Sequence, residues 1–289
     1  MLKEKLEKKK LPQGNKLTTK KHITSVASQL FGKFASKPFP RPVQNFINAG
    51  YVKLMGLDMS EFNEPSSYET LNKLFTRHLR EPREFNTDDA IMISPCDALV
   101  SECGKIHDFT SLQIKGMKYK VDELLGSHID GHNKHKIKNG RFINFYLSPS
   151  DYHRYHIPFD CRITKAVHIP GKLYPVNFTY LNKQQDLFIE NERVVIECYT
   201  KEEKLFYMVL VGALNVGKME VSFEPSIQTN SEIRESVAYE YKDLNMKKGD
   251  DFGCFQMGST IVLIAENMDI FVKSGEKVSF AQDIASMAK

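Results

Sequence analysis

The chain has 289 residues, of which 41% are hydrophobic, so it is long and apolar enough to form one large domain with a sizeable core. This composition excludes wholesale disorder. The net charge of +4 is too small to argue for nucleic acid, and no nucleic-acid partner is expected. The five cysteines are odd in number, widely spaced and without a Cys-x-x-Cys motif, which argues against a disulfide scaffold or a zinc ribbon and favours a reducing compartment.

The N-terminal segment is rich in lysine. Residues 1–19 contain no apolar run and predict a disordered basic tail rather than a signal peptide. Apolar residues then recur at helical spacing from Ile23 to Phe34, with lysines around them. A short amphipathic helix with a basic flank is typical of a segment that lies in a bilayer interface. We therefore predict that residues 20–80 form a helical, membrane-associating region.

Two further helical patterns lie within this region. One runs from Val43 to Met55, and the other from Tyr68 to Leu79 with Ser66 or Ser67 as a candidate cap. Ordinary packing against the core is the alternative interpretation of both. The apolar stretches of the chain fall far short of the ~20 residues that a membrane-spanning helix needs, so any membrane association is expected to be peripheral.

Residues 81–289 have a different pattern, in which short apolar or alternating runs are separated by turn-forming residues, and we assign them to a β-rich catalytic domain. Residues 225–250 are polar and charged, and predict a long loop or a lid. The sequence predicts an α+β fold, in which a barrel-like or sandwich-like β core follows an N-terminal amphipathic helical region. The predicted strands and one brief helix are Ala98–Ile106, Val121–Leu125 (helix), Arg141–Leu147, Val194–Tyr199, Leu205–Gly212, Gly217–Phe223 and Ser259–Ala265.

Three stretches carry residues suited to chemistry: Ser94–Asp97, Phe145–Pro158 and Gly253–Thr260. Each has an ordinary alternative. Asp97 can be a turn or cap residue, His153 and His156 can be strand residues or a His-x-x-His metal pair, and a Gly-Ser-Thr run is common in turns. Together they supply an activated serine, because a serine hydroxyl needs a base, usually histidine, which in turn needs an acid to orient it.

These stretches resemble the sequence motifs of the phosphatidylserine decarboxylases, in their short bacterial form. The run Gly-Cys-Phe-Gln-Met-Gly-Ser-Thr at 253–260 is similar to the family's self-cleavage site. Tyr-His-Arg-Tyr-His-Ile-Pro at 152–158 and Ser-Pro-Cys-Asp at 94–97 resemble its histidine and aspartate motifs. The likeness extends in order over residues 23–289, and Ala98 and Met257 are its two departures. Further similar stretches are Asn72–Leu79, Leu112–Gly116, Asn191–Val194 and Val211–Gly217.

The resemblance implies a mechanism. Asp97, His156 and Ser259 match the family's triad for self-cleavage between Gly258 and Ser259, which gives a large chain of residues 1–258 and a small chain of residues 259–289. Ser259 would become a pyruvoyl group, the covalent cofactor that forms a Schiff base with the amine of phosphatidylserine. His153 matches the residue that assists decarboxylation and delivers a proton. No metal is expected.

The resemblance also implies partners and a location. The substrate phosphatidylserine is a lipid, so the protein is expected to lie peripherally on the cytoplasmic face of the cell membrane, and a homodimer is expected. Deleting residues 1–36 is predicted to weaken liposome binding while self-cleavage stays intact.

Three alternatives use the same residues differently. A Ser-His-Asp hydrolase would keep the chain whole and react with fluorophosphonates. A non-catalytic β-barrel module with a basic tail would need no self-cleaving serine. A pyruvoyl enzyme for a soluble amino acid or for S-adenosylmethionine would show no lipid dependence.

Overall fold

The helices of the protein are short and lie mainly in its N-terminal part. A computed structural model describes residues 32–107, 112–114, 117–173, 187–213, 218–230, 235–256 and 259–287. Residues 32–36 are helical, and a 3₁₀ turn covers Pro65–Ser67. The other helices are α1 (Arg41–Met55), α2 (Leu71–Phe75), α3 (Val121–Leu125), α4 (Gly131–Lys136) and α5 (Leu187–Glu190).

Strands are the more frequent regular element among the described residues. They are β1 (Ile91–Ile93), β2 (Ala98–Lys105), β3 (Leu112–Ile114), β4 (Met117–Tyr119), β5 (Arg141–Leu147), β6 (Arg154–His156), β7 (Cys161–Ile169), β8 (Arg193–Tyr199), β9 (Leu205–Val211), β10 (Met219–Val221), β11 (Val237–Met246), β12 (Asp251–Phe255), β13 (Ser259–Ala265), β14 (Asp269–Ile270), β15 (Lys277–Val278) and β16 (Asp283–Ser286).

The main sheet has eight antiparallel strands in the order β11-β7-β8-β9-β13-β5-β2-β15. In the part of the chain that the structure describes, β11 and β15 are its edges, so the sheet is open. Strand β13 lies near the centre, paired with β9 on one side and β5 on the other, and its residues from Thr260 onward are buried. This position explains its unbroken apolar run, because a strand covered on both faces has no side that favours polar residues.

Smaller sheets complete the architecture. One has the order β10-β12-β6, a second β1-β16-β14, and a third is the pair β3-β4. Strand β12 therefore links β6, which carries His156, to the segment that leads into β13. This α+β, sandwich-like arrangement confirms the predicted fold class.

The predicted elements were reproduced best where they are most buried. The bounds of Arg141–Leu147, Ser259–Ala265 and the brief helix Val121–Leu125 are confirmed. The interpretation of residues 225–250 as a long loop or lid was wrong, because Val237–Met246 forms β11. Its polar sequence misled the prediction because β11 is an edge strand that pairs with β7 alone among the described strands, and none of its residues is buried.

The N-terminal helices place apolar residues outside as well as inside. On α1 the residues that face inward are Gln44, Asn48 and Tyr51, whereas Phe46 and Leu54 are 81% and 79% exposed. Packing therefore explains only part of the apolar pattern of this helix, the part in which Ile47 and Val52 contact the buried cluster around Tyr51. The predicted tail, and the predicted first helix up to residue 31, lie outside the described residues.

Candidate active site

The predicted cleavage position lies at the start of the central strand β13. Ser259 is opposite Leu147, the last residue of β5, and Thr260 is opposite Val211 of β9. Gly258 lies outside the described residues. Because β5 ends at Leu147, the turn that follows it and the histidine motif beyond lie next to the head of β13.

That turn, residues 148–151, is held by its own side chains. The Asp151 carboxylate accepts hydrogen bonds from the Ser148 N–H at 2.6 Å and the Ser148 hydroxyl at 2.7 Å. Burial raises the pKa of Asp151, and these hydrogen bonds act against that shift. The turn is also tied to α1, because the Tyr51 hydroxyl donates to the Pro149 carbonyl at 3.2 Å.

His153 is completely buried beside the turn. Its Nδ1 lies 2.8 Å from the Asp151 carbonyl oxygen, and its ring centroid lies 4.0 Å from that of Phe75. A carbonyl only accepts hydrogen bonds, so in the neutral ring Nδ1 carries the proton and Nε2 has a bare lone pair. Burial lowers the pKa of His153 to about 3, and the Arg77 charge adds to the shift. Nε2 has no hydrogen-bond partner among the described residues.

His156 has the same tautomer as His153, but its Nε2 has a partner. Its Nδ1 donates to the Gly249 carbonyl at 2.9 Å, and its Nε2 accepts a hydrogen bond from the Tyr152 hydroxyl at 3.1 Å. The Phe280 ring stacks on the imidazole, with centroids 3.6 Å apart. Burial lowers the pKa of His156 even though the Gly249 hydrogen bond acts against this. His156 is therefore neutral near pH 7, with Nε2 in the form that can accept a proton.

Asp97 is paired with a cation. Its carboxylate oxygens lie 2.5 and 3.1 Å from Nη1 and Nη2 of Arg83, and Oδ1 accepts the Phe280 N–H at 2.7 Å. Within the described part of the chain, no hydrogen bond joins Asp97 directly to His156. Phe280 connects them instead, since its backbone N–H binds Asp97 and its ring lies on His156.

Two glycines are required by close contacts at the site. Gly253, in the predicted cleavage motif, has φ +155°, and a Cβ there would lie 1.8 Å from the Glu220 carbonyl oxygen. Gly249, whose carbonyl binds His156, has φ +89°, and a Cβ there would lie 2.6 Å from the Phe85 ring. Any other residue would displace β12 or the His156 acceptor.

The described contacts thus place His153 beside the turn that follows Leu147, the residue opposite Ser259, and they connect Asp97 to His156 through Phe280. The turn or cap alternative for Asp97 does not describe its contacts, since its carboxylate binds Arg83. For the metal-pair alternative, no group of three His, Cys, Asp or Glu side chains among the described residues could hold an ion.

Sequence reasoning missed Arg83, Gly249 and Phe280 as members of the site. No motif marks them, because each contributes through its position in the fold. Tyr152 stood inside the quoted histidine motif, four residues before His156, and so could have been considered as its partner.

Comparison with known proteins shows which family the chain belongs to. The family model for phosphatidylserine decarboxylase matches residues 71–286. The chain belongs to the phosphatidylserine decarboxylase family. It is 43% identical to the phosphatidylserine decarboxylase proenzyme of Campylobacter jejuni over 266 residues, covering 90% of this chain and 97% of the relative. The proenzyme of Helicobacter pylori is also 43% identical over 263 residues, covering 91% and 97%.

A more distant member of the phosphatidylserine decarboxylase family, the proenzyme of Legionella pneumophila, is 35% identical over 285 residues, covering 97% of this chain and 94% of the relative. The region matched by the family model contains Asp97, both histidines and Ser259, whereas α1 precedes it. The family is one of decarboxylases, so the chain is a carboxy-lyase, and the relatives' shared name marks them as proenzymes.

Proposed function

We propose that this chain is a proenzyme that cleaves itself between Gly258 and Ser259 and then decarboxylates phosphatidylserine to phosphatidylethanolamine. The observation that supports the proposal is the position of Ser259 at the head of β13, opposite Leu147, because the turn 148–151 that follows Leu147 leads into the histidine motif and its Asp151 carbonyl accepts a hydrogen bond from His153. The proenzyme names of the relatives support it.

His156 is the proposed base for self-cleavage. Its neutral ring can take the Ser259 hydroxyl proton at Nε2 once that hydroxyl replaces Tyr152 as the hydrogen-bond donor there, after which Oγ attacks the Gly258 carbonyl carbon. A C–O bond then replaces the peptide C–N bond, and residue 259 gains a free amine. Loss of the Cα proton of residue 259 breaks its Cβ–O bond, which leaves a carboxylate on Gly258 and dehydroalanine at 259. Addition of water and loss of ammonia give the pyruvoyl group.

Asp97 is proposed to position the base. Its carboxylate holds the Phe280 N–H, and the Phe280 ring sets the plane of the His156 imidazole. The hydrogen bond to Gly249 fixes the tautomer of the same ring. The triad inferred from the resemblance is thus proposed to act through Phe280.

The buried, neutral His153 supports a pyruvoyl cofactor at residue 259, because its Nε2 has no hydrogen-bond partner among the described residues and is available to a bound group. That group would supply a ketone for condensation with the substrate amine and, once condensed, an electron sink for the decarboxylation. His153 is proposed to hold a proton at Nε2 and deliver it to the carbon that has lost its carboxylate. The surrounding Phe75 and Phe62 side chains are buried and keep bulk water away.

The two chains of the processed enzyme are expected to stay together. The small chain, residues 259–289, contributes β13 to the middle of the main sheet, and β14 to β16 pair with strands of the large chain or with each other. Separating them would expose the fully buried side of β13, which opposes dissociation.

A membrane surface is the proposed location. Phe46 and Leu54 lie exposed on α1 with the half-exposed Val43, and they form the α1 apolar face. In the described part of the chain no helix is long and apolar enough to cross a bilayer. An exposed apolar face of this kind suits a helix that lies in the bilayer–water interface. We therefore propose a peripheral enzyme on the cytoplasmic side of the cell membrane. A homodimer remains part of the proposal.

Intact mass measured under denaturing conditions tests the proposal. The expected result is two chains, one ending at Gly258 and one beginning at 259 and lighter by one ammonia than the serine-started peptide. Ser259→Ala is the control and should stay whole. Retention of a single wild-type chain after long incubation would contradict self-processing, and labelling of that chain by a fluorophosphonate would support the hydrolase alternative.

A further inference from the structure

The buried guanidinium of Arg77 lacks most of the hydrogen-bond acceptors and the carboxylate that such a group ordinarily has among the described residues. Arg77 follows α2 and is only 2% exposed, yet its Nε and Nη1 have no hydrogen-bond partner. Nη2 alone has acceptors, the carbonyl oxygens of Ser150 at 3.3 Å and Asp151 at 3.5 Å. No Asp or Glu of the described chain forms an ion pair with it. An uncompensated buried charge costs folding free energy, so a structural purpose does not explain it.

Arg193 shows how this fold satisfies a buried guanidinium that serves structure. It is 4% exposed and also has no carboxylate partner among the described residues. Its Nε donates to Leu124 O at 2.7 Å, Nη1 to Ile189 O at 2.6 Å and Nη2 to Glu123 O at 2.9 Å. Every nitrogen of Arg193 is used, whereas most of the donor capacity of Arg77 is unused.

The unused donors of Arg77 lie at the candidate active site. Its Nη2 and the Nδ1 of His153 approach the same acceptor, the Asp151 carbonyl oxygen. That carbonyl belongs to the turn that follows Leu147, the residue paired with Ser259. The Phe62 ring covers one face of the guanidinium, with its centroid 4.3 Å from Cζ, so the unpartnered N–H groups point along the plane of the group.

We propose that Arg77 binds the phosphodiester of the lipid substrate's headgroup. This inference rests on the proposed function. The lipid's headgroup has two anions, a carboxylate and a phosphodiester, and a planar guanidinium can bind the oxygens of either. An ion pair to the carboxylate would stabilise the charge that must leave during decarboxylation, and would therefore raise the barrier. An ion pair to the phosphodiester is kept from substrate to product, and it holds the reacting end in place without that penalty.

The test compares Arg77→Met and Arg77→Lys with the matched control Arg193→Met. Arg77→Met should still cleave itself, and in a Ser259→Ala background its melting temperature should equal or exceed that of the parent, because an unpaired buried charge is removed. Its kcat/KM on soluble short-chain phosphatidylserine should fall roughly a hundredfold or more. Arg77→Lys should recover part of that loss. Arg193→Met, which strands backbone carbonyls, should melt at a lower temperature than the parent.

A second measurement identifies the anion. Short-chain phosphatidylethanolamine keeps the phosphodiester and lacks the carboxylate, so Arg77→Met should weaken its inhibition of the enzyme by a factor similar to the loss on substrate. Unchanged inhibition by phosphatidylethanolamine would overturn the assignment in favour of the carboxylate. A large drop in melting temperature for Arg77→Met would mark the residue as structural. If the wild-type protein fails to cleave itself or to decarboxylate phosphatidylserine, the proposed function is wrong. If the wild-type protein does both and Arg77→Met has the same kcat/KM, only the assignment of Arg77 to the phosphodiester is wrong.

Discussion

The ring of Phe280 lies on the imidazole of His156, with centroids 3.6 Å apart and planes inclined by 15°. The same residue donates its backbone N–H to Asp97. After the proposed cleavage Phe280 would belong to the small chain, and Asp97 and His156 to the large one. The contact therefore makes the position of the proposed base depend on the segment that follows the cleavage point.

Phe280→Leu should slow self-cleavage roughly ten- to hundredfold, because the imidazole loses the flat surface that sets its plane, and small displacements of a reacting group are costly. The measurement is the rate at which the two chains appear after synthesis, followed by intact mass. Phe271→Leu is the matched control, since Phe271 is a half-exposed phenylalanine of the same C-terminal segment and does not contact His156. Equal rates for both variants would contradict a positioning role for Phe280.

Arg83→Met should destabilise the protein by about 1–3 kcal/mol in a Ser259→Ala background, because the Asp97 carboxylate loses its paired guanidinium. Adding Asp97→Asn should recover part of this loss, since the less exposed of the two carboxylates that bind Arg83 is then neutral, whereas the other, Glu61, is 48% exposed and stays hydrated. Urea unfolding of the Ser259→Ala parent, the two single variants and the double variant gives the coupling free energy between Arg83 and Asp97. Arg162→Met is the control. Its partner Glu203 is 66% exposed, so Arg162→Met should lower the unfolding free energy by no more than about 1 kcal/mol. An equally small loss for Arg83→Met would contradict the prediction.

The parts of the fold that the sequence predicted well are those that a local pattern determines. Strand β13 is apolar from Ile261 to Ala265 and β5 is mostly apolar, so both could be located to the residue. Strand β11 could not, because an edge strand needs no apolar side and its pairing with β7 depends on distant residues. The helix at 68–79 was overestimated, since α2 covers only Leu71–Phe75 and is capped by Thr70.

The candidate site divides in the same way. The histidine motif and the cleavage motif are each a continuous run of residues, so each could be found from the sequence. The partner of Asp97 could not, because Phe280 is 183 residues away in the chain and Arg83 lies in a segment without regular structure. The unpartnered nitrogens of Arg77 are a property of packing alone, which no spacing of residues reports.

Replacing Phe46 and Leu54 together by serine should weaken binding to anionic vesicles. Each side chain contributes roughly 1.5–3 kcal/mol when it moves from water into an apolar environment, which corresponds to about tenfold or more in partitioning. Cosedimentation with vesicles containing phosphatidylserine measures the loss, and intact self-cleavage shows that the fold is retained. Phe271→Ser, which removes a half-exposed phenylalanine remote from α1 in the chain, is the control. Unchanged sedimentation of the double variant would exclude the α1 apolar face as the contact surface.

His153 should make the unfolding free energy fall as the solution becomes acidic. Its pKa is about 3 in the folded chain against an ordinary value of 6.5, so below pH 6.5 the unfolded chain binds a proton that the folded chain does not. The stability that the neutral ring contributes is present above pH 6.5 and declines by about 1.4 kcal/mol for each pH unit below it, until the folded pKa is reached.

This slope can be isolated with one substitution. His153→Asn keeps an N–H for the Asp151 carbonyl but cannot take up a proton, so between pH 7.5 and pH 5 it should lose roughly 2 kcal/mol less stability than its parent. Urea unfolding of both proteins in a Ser259→Ala background gives the difference, in which all the other titrating groups cancel. The exposed His132→Asn should retain the parental slope. The same slope for His153→Asn as for its parent would mean that His153 takes up its proton in the folded chain as readily as in the unfolded one, and the role proposed for its bare Nε2 would lose its basis.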